Sequence, residues 1–309
     1  MKNKPVIYIV GPTASGKTAV SVEVAKQLGA EIISADSMQI YKNMHIASAA
    51  PDDTEKQGVP HHLFEFLNPS ENFSVSQYVD LANDTIKQIH SRQKTPIIVG
   101  GTGLYVSSLS ENLSFGDEAD KSSIRAALEE RAEFEGLNEL YDYLKLIDPE
   151  SATKISPNDK KRILRAIEIF EISGKTKTER DVLSKKNGPA YDNLFIGLGY
   201  KDREVLYNRI NTRVDLMIQK GLVNEALAAY KTDRGTAAQA IGHKELFKYF
   251  SGEMPLEAAV DHLKTQTRHY AKRQLTWFRK NENINWIYMD EDNNPVNTAL
   301  KIINDFLNK

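Results

Sequence analysis

The run Val6-Ile7-Tyr8-Ile9-Val10 leads directly into Gly11-Pro12-Thr13-Ala14-Ser15-Gly16-Lys17-Thr18. Five consecutive apolar residues stopping at a glycine read as a short buried strand. The octet after them fits G-x4-G-K-[ST], a loop whose backbone N–H groups cradle phosphate oxygens. In such a loop Lys17 supplies a point charge and the Thr18 hydroxyl is a ligand for Mg²⁺. Ala19, Val22 and Ala25 then recur at helical spacing, so the order is strand, loop, helix. That order opens an α/β fold and marks Gly11 to Thr18 as a site for a polyphosphate or a diphosphate.

Further strand-length apolar runs follow at Ile32 to Ser34, Ile97 to Val99, Leu194 to Leu198 and Ile284 to Tyr288. Helix-like stretches separate the first of them, which predicts βαβ units and a parallel sheet sandwiched by helices. The interval 115–190 breaks the alternation. It carries helical patterns at Ala126 to Phe134, Asn138 to Leu146 and Lys160 to Ser173, the last stopped by Gly174. The expected organisation is a phosphate-loop core from residues 1–114 and 191–309, with a helical C-terminal region, interrupted by a helical insertion at 115–190. A chain of 309 residues, 40% hydrophobic and 27% charged, suits a globular protein of about two domains. The absence of cysteine excludes a disulfide framework, a thiolate metal site and a cysteine nucleophile. No apolar run approaches the ~18 residues of a membrane helix, and Val6 to Val10 is too short for a signal-peptide core. A cytoplasmic chain without a membrane partner is expected.

A nucleotide-hydrolysing enzyme normally places a carboxylate after an apolar strand to hold Mg²⁺. The Ile97 to Val99 strand ends instead in Gly100-Gly101-Thr102-Gly103. The strand-end acid is Asp36, in Ser34-Ala35-Asp36-Ser37-Met38-Gln39. Ligands of open parallel sheets sit at the carboxyl ends of the strands, so Gly11, Asp36 and Gly101 are expected in one crevice. A carboxylate beside a phosphate loop and a glycine-rich turn describes a transferase or a kinase better than a hydrolase. Plainer roles stand beside these: Asp36 as a turn cap and Thr102 as a cap of the following helix.

GPTASGKT, SADSMQIYKNM, VPHH, PIIVGGTGLY, SPNDKKRILRAIEIFEISGKT, LYNRINTRVDLMIQKGL, AAQAIGHKE and TRHYAKRQLTWF occur in this order. Together they resemble the tRNA dimethylallyltransferase family over nearly the whole chain. The resemblance implies transfer of a dimethylallyl group from dimethylallyl diphosphate to the exocyclic amine of the adenosine 3′-adjacent to a tRNA anticodon. It implies Asp36 as the base that takes the amine proton, Thr102 as a contact to the target nucleotide, and Arg213 on the diphosphate. It also implies Mg²⁺ at Thr18, and tRNA contacts from Asp36, Ser37, Met38, Gln39, Arg125 and the run Lys161-Arg162-Ile163-Leu164-Arg165. Arg209 lies one helical turn before Arg213 and shares its face. Its other role is an ion pair with a surface carboxylate.

The net charge of −2 conceals local signs: +5 over Lys154 to Lys186, +4 over Pro255 to Asn281 and −6 over Gly116 to Asp142. RNA binding is therefore expected to be a local property of the insertion and the last basic stretch. There Arg268, Lys272 and Arg273 can follow phosphates or merely solvate a helix face, while Tyr270, Trp277 and Phe278 are read as core. His61 and His62 are adjacent, without metal-ligand spacing, and are read as loop or packing residues. Two positions depart from the usual family pattern: His243, where tyrosine is usual, and Ala47-Ser48-Ala49-Ala50, where I-G-T-A-K is more common. The competing readings are a phosphate-loop small-molecule kinase and an ATP-driven nucleic-acid binding module. The chain is expected to act as a monomer.

Overall fold

The computed structural model describes residues 4–115, 122–232 and 237–308. It divides into two compact units, one formed by Met1–Ser110 with Pro189–Lys309 and the other by Glu111–Gly188. Residues 116–121 of the acidic stretch lie outside the described residues.

The first unit begins with β1 (Pro5–Val10), α1 (Lys17–Leu28), β2 (Glu31–Ser34), α2 (Asp53–Lys56), β3 (His61–His62), α3 (Val75–Ser91), β4 (Pro96–Gly100) and α4 (Gly103–Ser110). Among the described residues the second unit holds five helices: α5 (Ser122–Phe134), α6 (Leu137–Ile147), α7 (Pro149–Lys154), α8 (Lys160–Ser173) and α9 (Lys177–Ser184). The first unit resumes with β5 (Asp192–Gly199), α10 (Arg203–Gln219), α11 (Leu222–Tyr230), α12 (Phe247–Phe250), α13 (Leu256–Phe278), β6 (Ile284–Tyr288) and α14 (Pro295–Leu307).

The six strands among the described residues pair in parallel, in the order β3-β2-β4-β1-β5-β6. β1 is central because Val6 to Val10 is apolar at every position, as a strand covered on both faces must be. It sets Ile9 against Val99 of β4 and Ile196 of β5, which brings the ends of three strands to one level. The edge strand β3 was not read from the sequence, because two histidines carry no apolar run. In the second unit, Leu140, Leu144, Ile163, Leu164 and Ile167 are fully buried and form its own core. α8 opens with Asp159 accepting the Arg162 N–H at 3.2 Å and stops at Gly174 in the left-handed conformation.

At the start of β2, the buried Glu31 carboxylate receives Arg92 Nη2 at 2.7 Å, His62 Nε2 at 2.7 Å and Lys94 Nζ at 3.1 Å. Burial pushes its pKa up, but the bonds from Arg92, His62 and Lys94 outweigh that and hold it at about 2. His61 and His62 are thus packing and hydrogen-bonding residues, His61 bonding the Val59 carbonyl. Glu31→Ala leaves these basic groups facing each other. Because the cationic partners reach water, the expected cost is about 2 kcal/mol, or a Tm lowered by about 5 °C in a thermal melt. The carboxylate's contribution is complete above the ordinary glutamate pKa and is lost as pH falls toward about 2. The variant's deficit relative to wild type should therefore shrink in melts at progressively lower pH.

Candidate active site

The phosphate loop joins β1 to α1. Ala14 is held at φ 62, a left-handed conformation that non-glycine residues adopt sparingly, and its carbonyl accepts Arg209 Nε at 3.1 Å. Arg209 also lies over the Tyr200 ring, so it serves the loop and not a surface carboxylate. Lys17 Nζ donates to the Gly11 and Pro12 carbonyls at 3.0 and 2.8 Å. The Ser15 hydroxyl is fully buried and has no hydrogen-bond partner. A buried orphan hydroxyl costs about 1–3 kcal/mol, and a phosphate oxygen in the loop would satisfy it.

Asp36 and Thr102 are locked together by backbone. The ladder continues past β2 and β4 through Ala35 N–H to the Val99 carbonyl at 2.8 Å and Thr102 N–H to the Ala35 carbonyl at 3.1 Å. Gly100 is required here, since a Cβ would lie 2.2 Å from the Ala35 carbonyl oxygen. The Thr102 hydroxyl accepts the Ser37 N–H at 2.9 Å and donates to the Ser37 hydroxyl at 3.3 Å. Thr102 thereby holds both neighbours of Asp36. The Asp36 carboxylate itself accepts the Met38 N–H at 2.9 Å, so it does make the turn-capping bond. Gln39 is fixed by Ser34 Oγ at 3.1 Å.

Arg213 lies half-buried on α10, within electrostatic range of Lys17 and Asp36. Burial is the main cause that lowers its pKa, and Asp36 opposes it. Burial likewise lowers Lys17, to about 8, with Arg213 adding to the effect and Asp36 opposing it. A bound diphosphate adds negative charge and should return the lysine to full protonation. Calorimetric titration with inorganic pyrophosphate near pH 8, repeated in buffers of different ionisation enthalpy, should show proton uptake by Lys17 once the proton lost by pyrophosphate itself is subtracted. Affinity should fall as pH rises above 8. A titration with no proton uptake would refute this account of Lys17.

α13 lies across both loops. Tyr270, Gln274 and Trp277 share one face at helical spacing. Gln274 is buried; its Oε1 accepts the Thr13 N–H at 2.8 Å, and its Nε2 donates to the Gly101 carbonyl at 2.9 Å. Tyr270 sits against the Thr102 hydroxyl and the Gln274 amide, close to Asp36; burial first, then Asp36, pushes its pKa up. Trp277, expected in the core, is 39% exposed, with Nε1 donating to Ser107 Oγ at 2.9 Å, whereas Phe278 is buried. Sequence reasoning passed over Gln274 altogether. Of the basic stripe, Arg268 is committed to Asn211 and Thr265 at 2.7 and 2.9 Å. Lys272 and Arg273 are exposed, with Arg273 over the Tyr270 ring.

The family model described as IPP transferase matches residues 39–281. The chain belongs to the IPP transferase family. It is 46% identical to the tRNA dimethylallyltransferase of Bacillus subtilis over 96% of this chain and 94% of that one. The structure superposes on the full-length tRNA isopentenylpyrophosphate transferase of Bacillus halodurans with a TM-score of 0.73 and 43% identity, covering 99% and 97% of the two chains. A eukaryotic dimethylallyltransferase crystallised acting on tRNA gives 0.81 at 30% identity, covering 99% of this chain and 80% of that one. The IPP transferase match begins after Asp36, while these relatives extend over nearly the whole chain.

His243 and the Ala47 segment, the two positions expected to depart from the family pattern, are linked in this structure. Buried His243 bonds Glu225 through Nε2 at 2.9 Å, and Glu225 accepts the N–H groups of Ile46 and Ala47 at 3.0 and 2.9 Å. In the second unit, Lys161, Arg162 and Arg165 lie on the exposed side of α8, with Arg162 paired to Asp159 and Arg165 to Glu168. Arg125 pairs with Glu129 on α5. Ile163 and Leu164 are a correction to the expected RNA-contacting run. Both are 0% exposed and pack the unit's core, so their side chains are unavailable to RNA.

Proposed function

We propose that this chain is a cytoplasmic tRNA dimethylallyltransferase, moving the dimethylallyl group of dimethylallyl diphosphate onto the exocyclic amine of the adenine 3′-adjacent to the anticodon. The observation that carries this is the convergence of the phosphate loop, Asp36 and Thr102 beyond the carboxyl ends of the adjacent strands β1, β2 and β4. A new N–C bond forms as the C–O bond to diphosphate breaks, and the amine proton passes to Asp36. The amine is a weak nucleophile, because its lone pair is delocalised into the ring, so a positioned base lowers the barrier. Charge builds on the departing diphosphate, where the loop N–H groups not already bonded within the protein, Lys17 and Arg213 receive it. Thr102 and the Asp36 to Gln39 segment meet the extruded nucleotide, whose unstacking costs a few kcal/mol.

Exposed Lys161, Arg162, Arg165, Lys272 and Arg273, with half-buried Arg125, offer phosphate contacts, which give affinity without reading sequence. No helix among the described residues is long and apolar enough to cross a membrane. Among the described residues no three His, Cys, Asp or Glu side chains are grouped to enclose a metal. The Thr18 hydroxyl is a hard oxygen donor at the start of α1, which suits Mg²⁺ held chiefly by substrate phosphates and water. A Mg²⁺ held by the Thr18 hydroxyl would supply charge neutralisation for the leaving diphosphate. The test incubates the protein with unmodified tRNA, labelled dimethylallyl diphosphate and Mg²⁺, beside a parallel arm containing ATP and small acceptors. Label in tRNA at the adenine beside the anticodon is expected. Phosphate transfer from ATP with no label in tRNA would establish the kinase reading instead.

A further inference from the structure

We infer that Gln274 is a positioning residue that sets the distance between the diphosphate loop and the nucleotide-side turn, an assignment that rests on the transferase reading above. A reaction between two bound substrates needs the attacking and departing atoms held at a fixed separation, and the loops that hold them arise from different strands. The sheet spaces β1 and β4 up to Val10 and Gly100. Beyond those residues the ladder ends, and something else must hold Thr13 and Gly101 in register. Gln274 spans the gap with one carboxamide, its oxygen on Thr13 and its nitrogen on Gly101. Its planarity makes it a rigid strut. Gly101 has been cleared to admit it, since a Cβ there would lie 2.1 Å from Gln274 Nε2. The strut is anchored at both sides of its helical turn: Tyr270 packs against Gln274 and Thr102, and Trp277 ties to α4 through Ser107 while lying where a Gly103 Cβ would be. One helix face thus braces the phosphate loop, the Gly101–Thr102 turn and the helix that follows it.

The brace predicts a loss of rate without a loss of affinity, because each half-site keeps its own ligand contacts. Gln274→Met preserves length and packing while removing both bonds. The expected single-turnover rate with tRNA and dimethylallyl diphosphate is lower by about 100-fold, the size of effect that a misplacement of about 1 Å produces. The dissociation constants for inorganic pyrophosphate and for tRNA should each change by less than about threefold, since the energy of positioning is expressed in the transition state. Gln274→Glu is the companion variant. Its carboxylate still accepts from Thr13 but, when ionised, cannot donate to Gly101, so it should also lose rate. It remains informative if the methionine variant folds poorly. A purely structural glutamine would lower the Tm and the active fraction while the rate per active site stayed at the wild-type value. Variant rates within about threefold of wild type, or pyrophosphate affinity falling in step with rate, would overturn the inference. Wild-type protein that leaves tRNA unlabelled would overturn the transferase reading and this inference with it, a result separable from variants that match an active wild type.

Discussion

Asp36→Asn should retain tRNA affinity within about threefold while its single-turnover prenylation rate falls by about 10²–10⁴, the contribution expected of a general base. Asparagine has the same shape as aspartate, and its carbonyl oxygen can still accept the Met38 N–H, so the turn is preserved. The backbone around it is held independently by Thr102, through the Ala35 carbonyl and the Ser37 N–H. What disappears is an acceptor for the amine proton, so the deficit should appear in the chemical step alone. Rapid-quench measurement on an anticodon stem-loop, paired with a binding isotherm, separates the two. An asparagine variant that turned over near the wild-type rate would remove Asp36 from the chemistry and leave it as the turn cap it also is.

Arg213→Ala should reduce kcat/KM for dimethylallyl diphosphate by about 10²–10³, the loss that follows removal of one preorganised donor to a developing anion. The guanidinium is half-buried and near both Lys17 and Asp36, so its charge is poorly screened. A second signature distinguishes this from general damage. Arg213 is one of the groups that hold Lys17 down, so without it the lysine is more fully protonated in the free enzyme. Proton uptake on pyrophosphate binding near pH 8 should then shrink. A variant that bound pyrophosphate normally but lost tRNA affinity would move Arg213 to the RNA surface.

The parallel sheet was legible because β1, β2, β4 and β5 are built from compact apolar runs that end at glycine or serine, and β6 is a strand-length run of mostly apolar residues. β3 escaped notice because His61 and His62 are held at an edge by Val59 and Glu31, partners that no local pattern reveals. The phosphate loop, Asp36 and Thr102 could be placed at strand ends from sequence because that geometry follows from the fold class. Gln274 could not. Its partners are the backbones of Thr13 and Gly101, which lie 261 and 173 residues away, and a backbone partner leaves no trace in side-chain chemistry. At Ile163 and Leu164 the helical pattern pointed to the core and the family resemblance to RNA; a basic motif and an apolar core stripe share α8, and burial assigns both side chains to the core.

The stem of the insertion bears on how the sheet is assembled. Within the second unit, Ser114 N–H bonds the Ser184 carbonyl at 3.2 Å and Lys185 pairs with Glu111 at 2.9 Å, so its two ends are clasped together. On the other side of the junction, Asn193 bonds the Ser110 carbonyl at 3.0 Å. β1 and β4 can pair early in synthesis, but the other neighbour of β1 is β5, which is made only after the insertion. If the insertion condenses on its own core first, the entropy of closing that long segment is already spent. The ribosome then delivers β5 to a sheet for which the whole insertion counts as a tight turn.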